Sequence, residues 1–558
     1  MSLSDFSNLF MFAGGIGMFL YGMHLMADGM QKTAGGRMQK MLGLLTSNRF
    51  VAIVVGALVT AIIQSSGATT VMVVGFVNAG IISLTQAAGV IMGANIGTTI
   101  TAWIVSMGQL GSAAKAFSPS FYAPLLIGIG AFSILFAGKD KHKLIGEIVI
   151  GIGLLFMGLD FMSGSISPYT ELPIFSKAFE LFGANPLLGI LVGIIVTAIL
   201  QSSSASVGIL QTLALNGVVT TNAAIFITLG QNIGSCVTAL LSSIGTNRTA
   251  KRAACIHLLF NIAGAIIFGT AAFILFMFKP EIAAHNITSV QISVFHTFFN
   301  ITCTLVISQF VNLLVKLSAV IVPGEDEVTE ETGADSDDEL PKTHIDDRIL
   351  ESPSFAVETG LKEVLQMGRL AYRNICNAID AVINDDMELA QKVFRTEKNV
   401  DYLEKTLTGY LAKVNNLALN ESQHLLVNDL FHTIIDVERV SDHAENLAEI
   451  AIFKKEHQIE FSEEGMEELE QICQMVKEAF GTALEARMSG KAEYVRKVSQ
   501  IEDDVDSFEE ELRDKHIQRL SSGQCIPENG VVYLDILSNL ERVSDHASNI
   551  VTCVMDEI

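Results

Sequence analysis

The sequence predicts an all-α protein in two parts. The first is a polytopic membrane half with inverted repeats and two re-entrant hairpins, and the second is a cytosolic pair of three-helix bundles. Three observations carry this. Residues 1–322 hold 14 basic and 8 acidic side chains and run in apolar stretches, many of about 20 residues, the length that spans hydrocarbon. The remainder carries a net charge of −30, bringing the chain to −24, and its apolar residues recur with a helical period. Within the apolar half an octapeptide recurs with two changes: TAIIQSSG (Thr60 to Gly67) returns as TAILQSSS (Thr197 to Ser204).

Membrane segments are expected at 9–30, 50–80, 83–107, 121–138, 144–164, 186–216, 221–244, 253–278 and 290–321. Gln64 and Gln201 are 137 residues apart, and the same offset carries Asn48 onto Asn185, Gly56 onto Gly193, Gly93 onto Gly230, Asn95 onto Asn232 and Gly97 onto Gly234. Basic residues cluster at 32–49, 139–143 and 248–252, which the positive-inside rule places in the cytoplasm. The count closes only if 50–80 and 186–216, each with QSS near its middle, dip in and return. The other seven segments then cross. Loops near Ala113 and Ala283 face outside, the C-terminal part lies in the cytoplasm, and the two repeats (about 9–107 and 144–244) begin on opposite sides. The first helix joins the repeat, because G-M-F-L-Y-G-M (Gly17 to Met23) is similar to G-L-L-F-M-G-L (Gly153 to Leu159).

Gln, Ser and Asn are costly in hydrocarbon unless protein encloses them. At a hairpin tip the backbone leaves the helix, a Ser can cap the next half-helix, and the freed amides at its positive end favour an anion. Unwound carbonyls with Gln, Ser and Thr oxygens suit a small hard cation such as Na⁺. The candidate cradle is Gln64, Ser65, Ser66, Thr69 and Thr70 from the first copy, with Gln201, Ser202, Ser203, Ser204 and Ser206 from the second. Asn95, Thr98 and Thr99 (N-I-G-T-T), with Asn232 and Ser235 (N-I-G-S-C), are expected to break the neighbouring spanning helices at similar depth. The bland alternative is that Ser and Gly pack helices closely and cap internal breaks. The islands contain no Lys, Arg, Asp or Glu, so a bound anion would rely on dipoles, hydroxyls and co-bound cations. Ionisable residues within the segments are His24, Asp28, Glu147, Asp160, His257 and His296, of which Asp28 and Asp160 read as interfacial.

QSSG-A-T-T and QSSS-A-S, in an inverted pair of T-A-I-[IL]-Q-S-S repeats, resemble the type II sodium/phosphate cotransporter family over residues 9–321. The resemblance implies that the two QSS motifs shape phosphate and Na⁺ sites. Gly67 departs from the QSSS form and removes one side-chain ligand.

Residues 325–340 (EDEVTEETGADSDDEL) hold nine acidic and no basic side chains. They read as a solvated tether within a linker, 323–354, that separates a membrane domain (1–322) from a helical domain (355–558). Six helices are expected in that domain, near 355–384, 387–417, 420–455, 461–489, 491–521 and 529–556. ERVSDHAEN (Glu438 to Asn446) recurs as ERVSDHASN (Glu541 to Asn549). Glu438 with Asp442, and Glu541 with Asp545, share helix faces at i,i+4. Glu397 with Asp401, and Glu502 with Asp506, offer facing carboxylates. Such oxygen-rich clusters suit a multivalent cation, with Fe, Mn and Zn the candidates; the bland reading is a solvated i,i+4 charge pattern. The twin E-R-V-S-D-H-A-x-N closely resembles the PhoU family, which implies phosphate regulation and metal binding through E-x-x-x-D.

Net acidity argues against nucleic acid. Seven cysteines without a C-x-x-C pair fit reduced thiols. No G-x-S-x-G or P-loop points to an enzyme. The expected activity is sodium-coupled phosphate transport across a bacterial inner membrane. The alternatives are a phosphate exporter of the same fold, or a membrane-anchored signalling module without transport. Expected partners are phosphate, Na⁺, the lipid bilayer, and a second copy of the chain or a regulatory protein.

Overall fold

The computed structural model describes residues 3–43, 48–107, 119–170, 173–324, 341 and 343–557. Ala113 and the acidic run 325–340 lie outside them. The described chain is helical: α1 (Leu3–Gly43), α2 (Arg49–Ile63), α3 (Ser66–Asn78), α4 (Leu84–Met107), α5 (Pro119–Phe136), α6 (Asp140–Ile166), α7 (Pro173–Ala184), α8 (Pro186–Leu200), α9 (Ser203–Leu215), α10 (Thr221–Gly234), α11 (Cys236–Ser242), α12 (Arg248–Phe278), α13 (Pro280–Ala284), α14 (Ser289–Ile307) and α15 (Val311–Ile321), then α16 (Pro353–Asn384), α17 (Met387–Asn415), α18 (Glu421–Glu456), α19 (Glu463–Ser489), α20 (Ala492–Ser521) and α21 (Pro527–Glu557). It forms two compact units. One runs through Gly324 and takes in Asp346–Phe355; the other continues from Ala356.

Seven described helices are long and apolar enough to cross a membrane: Ser4–Ala34, Leu84–Met107, Pro119–Phe136, Lys141–Tyr169, Thr221–Ser242, Arg248–Phe278 and Ser289–Ile321. They coincide with the seven crossings that the charge parity demands. By contrast, α2, α3, α8 and α9 have 15, 13, 15 and 13 residues. At 1.5 Å per residue each is roughly 20 Å long, short of the ~30 Å hydrocarbon core.

Close contacts fix the direction of these half-helices. A Cβ on Gly93 would stand 2.0 Å from the carbonyl oxygen of Ile53, and one on Gly97 2.5 Å from that of Ala57. Residue numbers rise together along α2 and α4, so the two are parallel. Only residues 79–83 separate α3 from α4, so α3 must run back towards the start of α2, and α2–α3 is a hairpin. The second copy repeats this: Gly230 meets Ile190 O at 2.0 Å and Gly234 meets Ile194 O at 2.7 Å. Hence α8 and α10 are parallel and α9 returns between them.

The inversion is legible where the repeats meet. Along α1 and α6 the numbers run in opposite senses. A Cβ on Gly15 would lie 2.9 Å from Gly158 O, and one on Gly22 2.6 Å from Gly151 O. The offset that aligns the first helices carries Gly15 onto Gly151 and Gly22 onto Gly158, so the two close pairs exchange under a two-fold operation. Equivalent helices packed antiparallel make the repeats inverted.

One expectation needs correction, and one element was not foreseen. N-I-G-T-T does not break its helix, because α4 is continuous through Asn95. The Asn95 amide donates to Ile91 O at 3.0 Å, the Thr98 hydroxyl to Ala94 O at 3.0 Å and the Thr99 hydroxyl to Ile96 O at 2.7 Å, so these polar groups are satisfied on their own helix. Gly93 and Gly97 serve close packing on α2. In the second copy the expected break is present, at Ser235 between α10 and α11. In addition, α7 had no counterpart in the sequence reading; Lys177–Ala184 meets Pro186–Leu200 at 112°, with Asn185 capping α8 by accepting from Leu188 N at 3.2 Å.

In the second unit the six helices form the two expected bundles, α16–α18 and α19–α21. They meet through equivalent helices: the Gly368 backbone of α16 abuts Leu484 of α19, Lys477 donates to Asp380 at 2.8 Å, and α18 packs on α21.

Candidate functional site

Each hairpin turns on a glutamine with a left-handed backbone, Gln64 at φ 56° and Gln201 at φ 52°. An L-residue holds this conformation at a cost of about 1–3 kcal/mol, and such strain concentrates at functional sites. The next residue caps the returning helix. Ser65 (φ −141°, ψ 107°) accepts from Ala68 N at 3.1 Å, and Ser202 (φ −142°, ψ 108°) accepts from Ala205 N at 3.2 Å. Each cap satisfies one of the first-turn amides and leaves those of Ser66 and Gly67, and of Ser203 and Ser204, outside the helix's own hydrogen bonding. The tips meet, with Ser66 Oγ 3.5 Å from Ser203 Oγ. Two helix N-termini, each a partial positive charge, therefore converge on one place.

That place is a cavity of about 350 Å³. Gln64, Ser65, Ser66, Gln201, Ser202, Ser203, Ser204 and Ser235 of the expected set line it, with Gly67 and Thr238. Thr69, Thr70, Ser206, Asn95, Thr98, Thr99 and Asn232 do not. They stand behind the wall as supports. Thr60 Oγ1 donates to Thr69 Oγ1 at 3.0 Å, Thr70 Oγ1 to Ser66 O at 2.8 Å, and Gln231 Nε2 to Ser206 Oγ at 2.9 Å. The Gln64 carboxamide is engaged at both ends, accepting from Thr101 Oγ1 at 2.8 Å and donating to Ala61 O, whereas Gln201 is exposed to the cavity.

Sequence reasoning missed part of the wall. Along α1, His24, Asp28 and Gln31 face the cavity, and His24 Nε2 lies 3.6 Å from Asp28 Oδ2. Asp28 is thus a wall residue, not only an interfacial one. Glu351 also lines the cavity. It is carried by a strap, Asp346–Phe355, clamped to the membrane unit. The Asn78 amide donates to Asp346 at 2.6 Å, Arg348 donates to Ser242 O at 2.6 Å and to Ile244 O at 3.1 Å, and Phe355 stacks edge-on against Phe76 at 5.8 Å. Nothing in the local sequence marked Glu351, which follows an acidic run. The cavity therefore combines amide and hydroxyl donors with two carboxylates, and among the described residues no Lys or Arg lines it.

In the second unit, oxygens of Glu502, Asp506 and Asp545 lie within 4.8 Å of one another. Burial and the Asp506, Asp503, Asp545 and Glu541 charges push the Glu502 carboxyl up; burial and Asp545 do the same for Asp506 and Glu541. In the first bundle, burial with Glu445, Asp401 and Asp442 pushes Glu397 up to about 7, and burial with Asp442 raises Glu438. There Lys405 reaches Asp401 at 2.7 Å and Arg439 reaches Asp442 at 3.0 Å, sharing the load. Glu404 and Glu445 extend this set and were missed. The histidines of the twin motif meet across the bundles, ring centroids 5.7 Å apart, His443 Nδ1 against Asn539 Oδ1 and His546 Nδ1 against Asp436 Oδ1, each at 2.9 Å.

Inverted repeats whose half-helix tips face one another across a cavity define the class of secondary transporters. The chain belongs to the Na⁺/Pi-cotransporter family, which it matches over residues 18–164 and 173–311. It also matches the PhoU domain over 364–451 and 469–554. Among relatives, YjbB of Salmonella typhimurium, a protein named for inorganic phosphate export, is 25% identical over 97% of this chain and 96% of its own. The human sodium-dependent phosphate transport protein 2B is 31% identical over 26% of this chain and 23% of its own. The crystal structure of PhoU from Pseudomonas aeruginosa covers 36% of this chain and 96% of its own, with TM-score 0.35 and 24% identity.

Proposed function

We propose that the chain carries inorganic phosphate across the membrane together with Na⁺, the ions sharing the cavity between the two QSS tips. The observation that carries this is the convergence of two Ser-capped helix N-termini, 3.5 Å apart at Ser66 and Ser203, in a cavity that no Lys or Arg lines among the described residues. Amides and hydroxyls donate to phosphate oxygens. Asp28 and Glu351 oppose a bare anion, and co-bound cations offset them. Phosphate and Na⁺ should therefore strengthen each other's binding, reciprocally. Radiolabelled phosphate flux in proteoliposomes tests this: replacing Na⁺ by choline should weaken phosphate affinity at least ~10-fold, about 1.4 kcal/mol. Equal affinity in the two salts overturns it.

Net export is the second reading. It is favoured by the relatives that share both halves of the chain and are named for phosphate export. The same flux assay run in both orientations separates the two.

The basic clusters, with seven cysteines that form no C-x-x-C pair, support a cytoplasmic second unit, in which the PhoU domain regulates transport. Its four carboxylates Glu502, Asp506, Glu541 and Asp545 are offered to a multivalent cation; Fe, Mn and Zn suit an all-oxygen set of this charge.

A further inference from the structure

The strap Asp346–Phe355 belongs to the membrane unit, although α16, which begins within it at Pro353, continues from Ala356 as part of the second unit. It is docked, not merely passing. Asp346, Ile349, Ser352 and Phe355 are buried, Ile349 and Phe355 completely. Asp346 accepts from Arg348 N at 2.8 Å and pairs with its guanidinium at 2.9 Å. From this pair the contacts go two ways. Asp346 accepts from Asn78 at the end of α3, in the first repeat, while Arg348 donates to Ser242 O and Ile244 O at the end of α11, in the second. One ion pair thus ties the returning arm of the first hairpin to the last turn of a helix from the other repeat.

The dock is cut into α3. A Cβ on Gly75 would lie 2.9 Å from Arg348 Cβ. The offset of 137 residues carries Gly75 onto Thr212 and Asn78 onto Leu215, so α9 has neither the clearance nor the amide that receives Asp346. The anchors are also placed on parts that differ between the repeats. In the first repeat α4 is continuous through Thr98, whereas at the equivalent Ser235 the second is broken into α10 and α11. Inverted repeats reach the opposite state by exchanging conformations. That exchange would straighten α10 with α11 and displace Ser242 and Ile244, whose carbonyls Arg348 holds. A contact that only one state can make favours that state.

We propose that the strap is an autoinhibitory clasp: docked between α3 and the end of α11, it holds the membrane unit in the state with the break at Ser235, and its release lets the repeats exchange and phosphate pass. The clasp rests on the transport reading and adds the place where regulation acts on it. The last three residues of the strap are the first three of α16, so the chain of the regulatory domain begins in the clasp itself. Glu351 lines the cavity from the docked strap, and release withdraws that carboxylate as well.

The test is phosphate flux by the full chain in proteoliposomes, at saturating phosphate and Na⁺ so that affinity does not limit the rate. Asp346→Ala with Arg348→Ala removes the ion pair. Gly75→Thr fills the dock with the residue that α9 carries at the equivalent position, and decides the matter if the double variant does not fold. Each should raise flux at least ~3-fold, about 0.6 kcal/mol. Tryptic cleavage after Arg348, measured in detergent, should be at least ~10-fold faster in Gly75→Thr than in the wild type, as expected for a site exposed by undocking. Unchanged or lower flux in the folded variants overturns the clasp in either case: cleavage at the wild-type rate would mean that the dock does not depend on Gly75, and faster cleavage that release does not govern the cycle. Absent flux in the wild type would defeat the transport reading and the clasp with it, whereas wild-type flux that the variants leave unchanged defeats the clasp alone.

Discussion

At the scale of the residue, the QSS tips show which atoms are spoken for and which face the cavity. Gln64 and Gln201 occupy equivalent left-handed turns, yet Gln64 is tied to Thr101 and Ala61 while Gln201 is exposed. Gly67, where the second copy has Ser204, is not required by backbone or space. A Cβ there would meet only Ser65 Oγ and Thr238 Cγ2, each at 3.7 Å. Gly67→Ser should therefore fold, gain roughly 0.5 kcal/mol of helix propensity, and keep phosphate flux within about twofold, the size of a minor contact. Loss of flux in a folded Gly67→Ser protein would show that the first tip needs bare backbone. Identity of the tip residues was readable from the repeat. Division of labour among them was not, because a threonine that bonds back to its own helix and one that faces a ligand look alike in sequence.

The carboxylates of the second unit make a residue-scale prediction with a definite sign. Their folded pKa values are raised, to about 7 at Glu397, above those of the unfolded chain. The folded form then holds more protons than the unfolded one between about 4.5 and 7, so its stability rises as pH falls through that window. The fragment 356–558 should melt at a higher temperature at pH 5.5 than at pH 8. Mn²⁺ or Zn²⁺ at pH 8 should recover the difference, because a metal offsets the same repulsion. Asp545→Asn with Asp506→Asn should remove the metal response and shrink the pH response, leaving the part that Glu397 carries. A fragment indifferent to pH and metal would mean that Lys405, Arg439 and solvent already screen the charge.

At the scale of the element, the hairpins were legible because charge parity leaves no other topology, and the contacts of Gly93 and Gly230 show the parallel helices that parity requires. The N-I-G islands were not fully legible: Gly97 and Gly234 both mark a close approach, to Ala57 O and Ile194 O, yet only the second copy also breaks its helix. The strap was invisible for another reason. Its partners Asn78, Ser242 and Ile244 are more than 100 residues away in sequence. Its Glu351 puts a carboxylate beside the proposed anion site. Glu351→Gln should tighten phosphate binding at least about threefold, near 0.6 kcal/mol, the scale of a partly screened pair. Arg348→Ala, which loosens the clamp, should act in the same direction. Weaker phosphate binding in Glu351→Gln, with lower Na⁺ dependence, would instead make Glu351 a cation ligand.

At the scale of the whole membrane unit, the two-fold relation that exchanges Gly15–Gly158 with Gly22–Gly151 does not extend to the cavity. Its wall includes α1 from Leu20 to Gln31 and, among the described residues, none of the equivalent α6. Symmetric repeats around an asymmetric opening are what alternating access requires, with the exchange of roles between repeats giving the opposite state. The account stands or falls on the paired caps at the centre of that symmetry. Asn and Asp cap a helix about as well as Ser, so capping can be kept while charge is changed. The decisive measurement is phosphate binding and flux, in Na⁺, for Ser65→Asn with Ser202→Asn against Ser65→Asp with Ser202→Asp, each shown to be folded. The asparagine pair should retain measurable binding, and the aspartate pair should lose at least ~10-fold more affinity, about 1.4 kcal/mol, by placing negative charge where phosphate sits. Equal phosphate affinity in the two variants would contradict the placement of the anion between the tips.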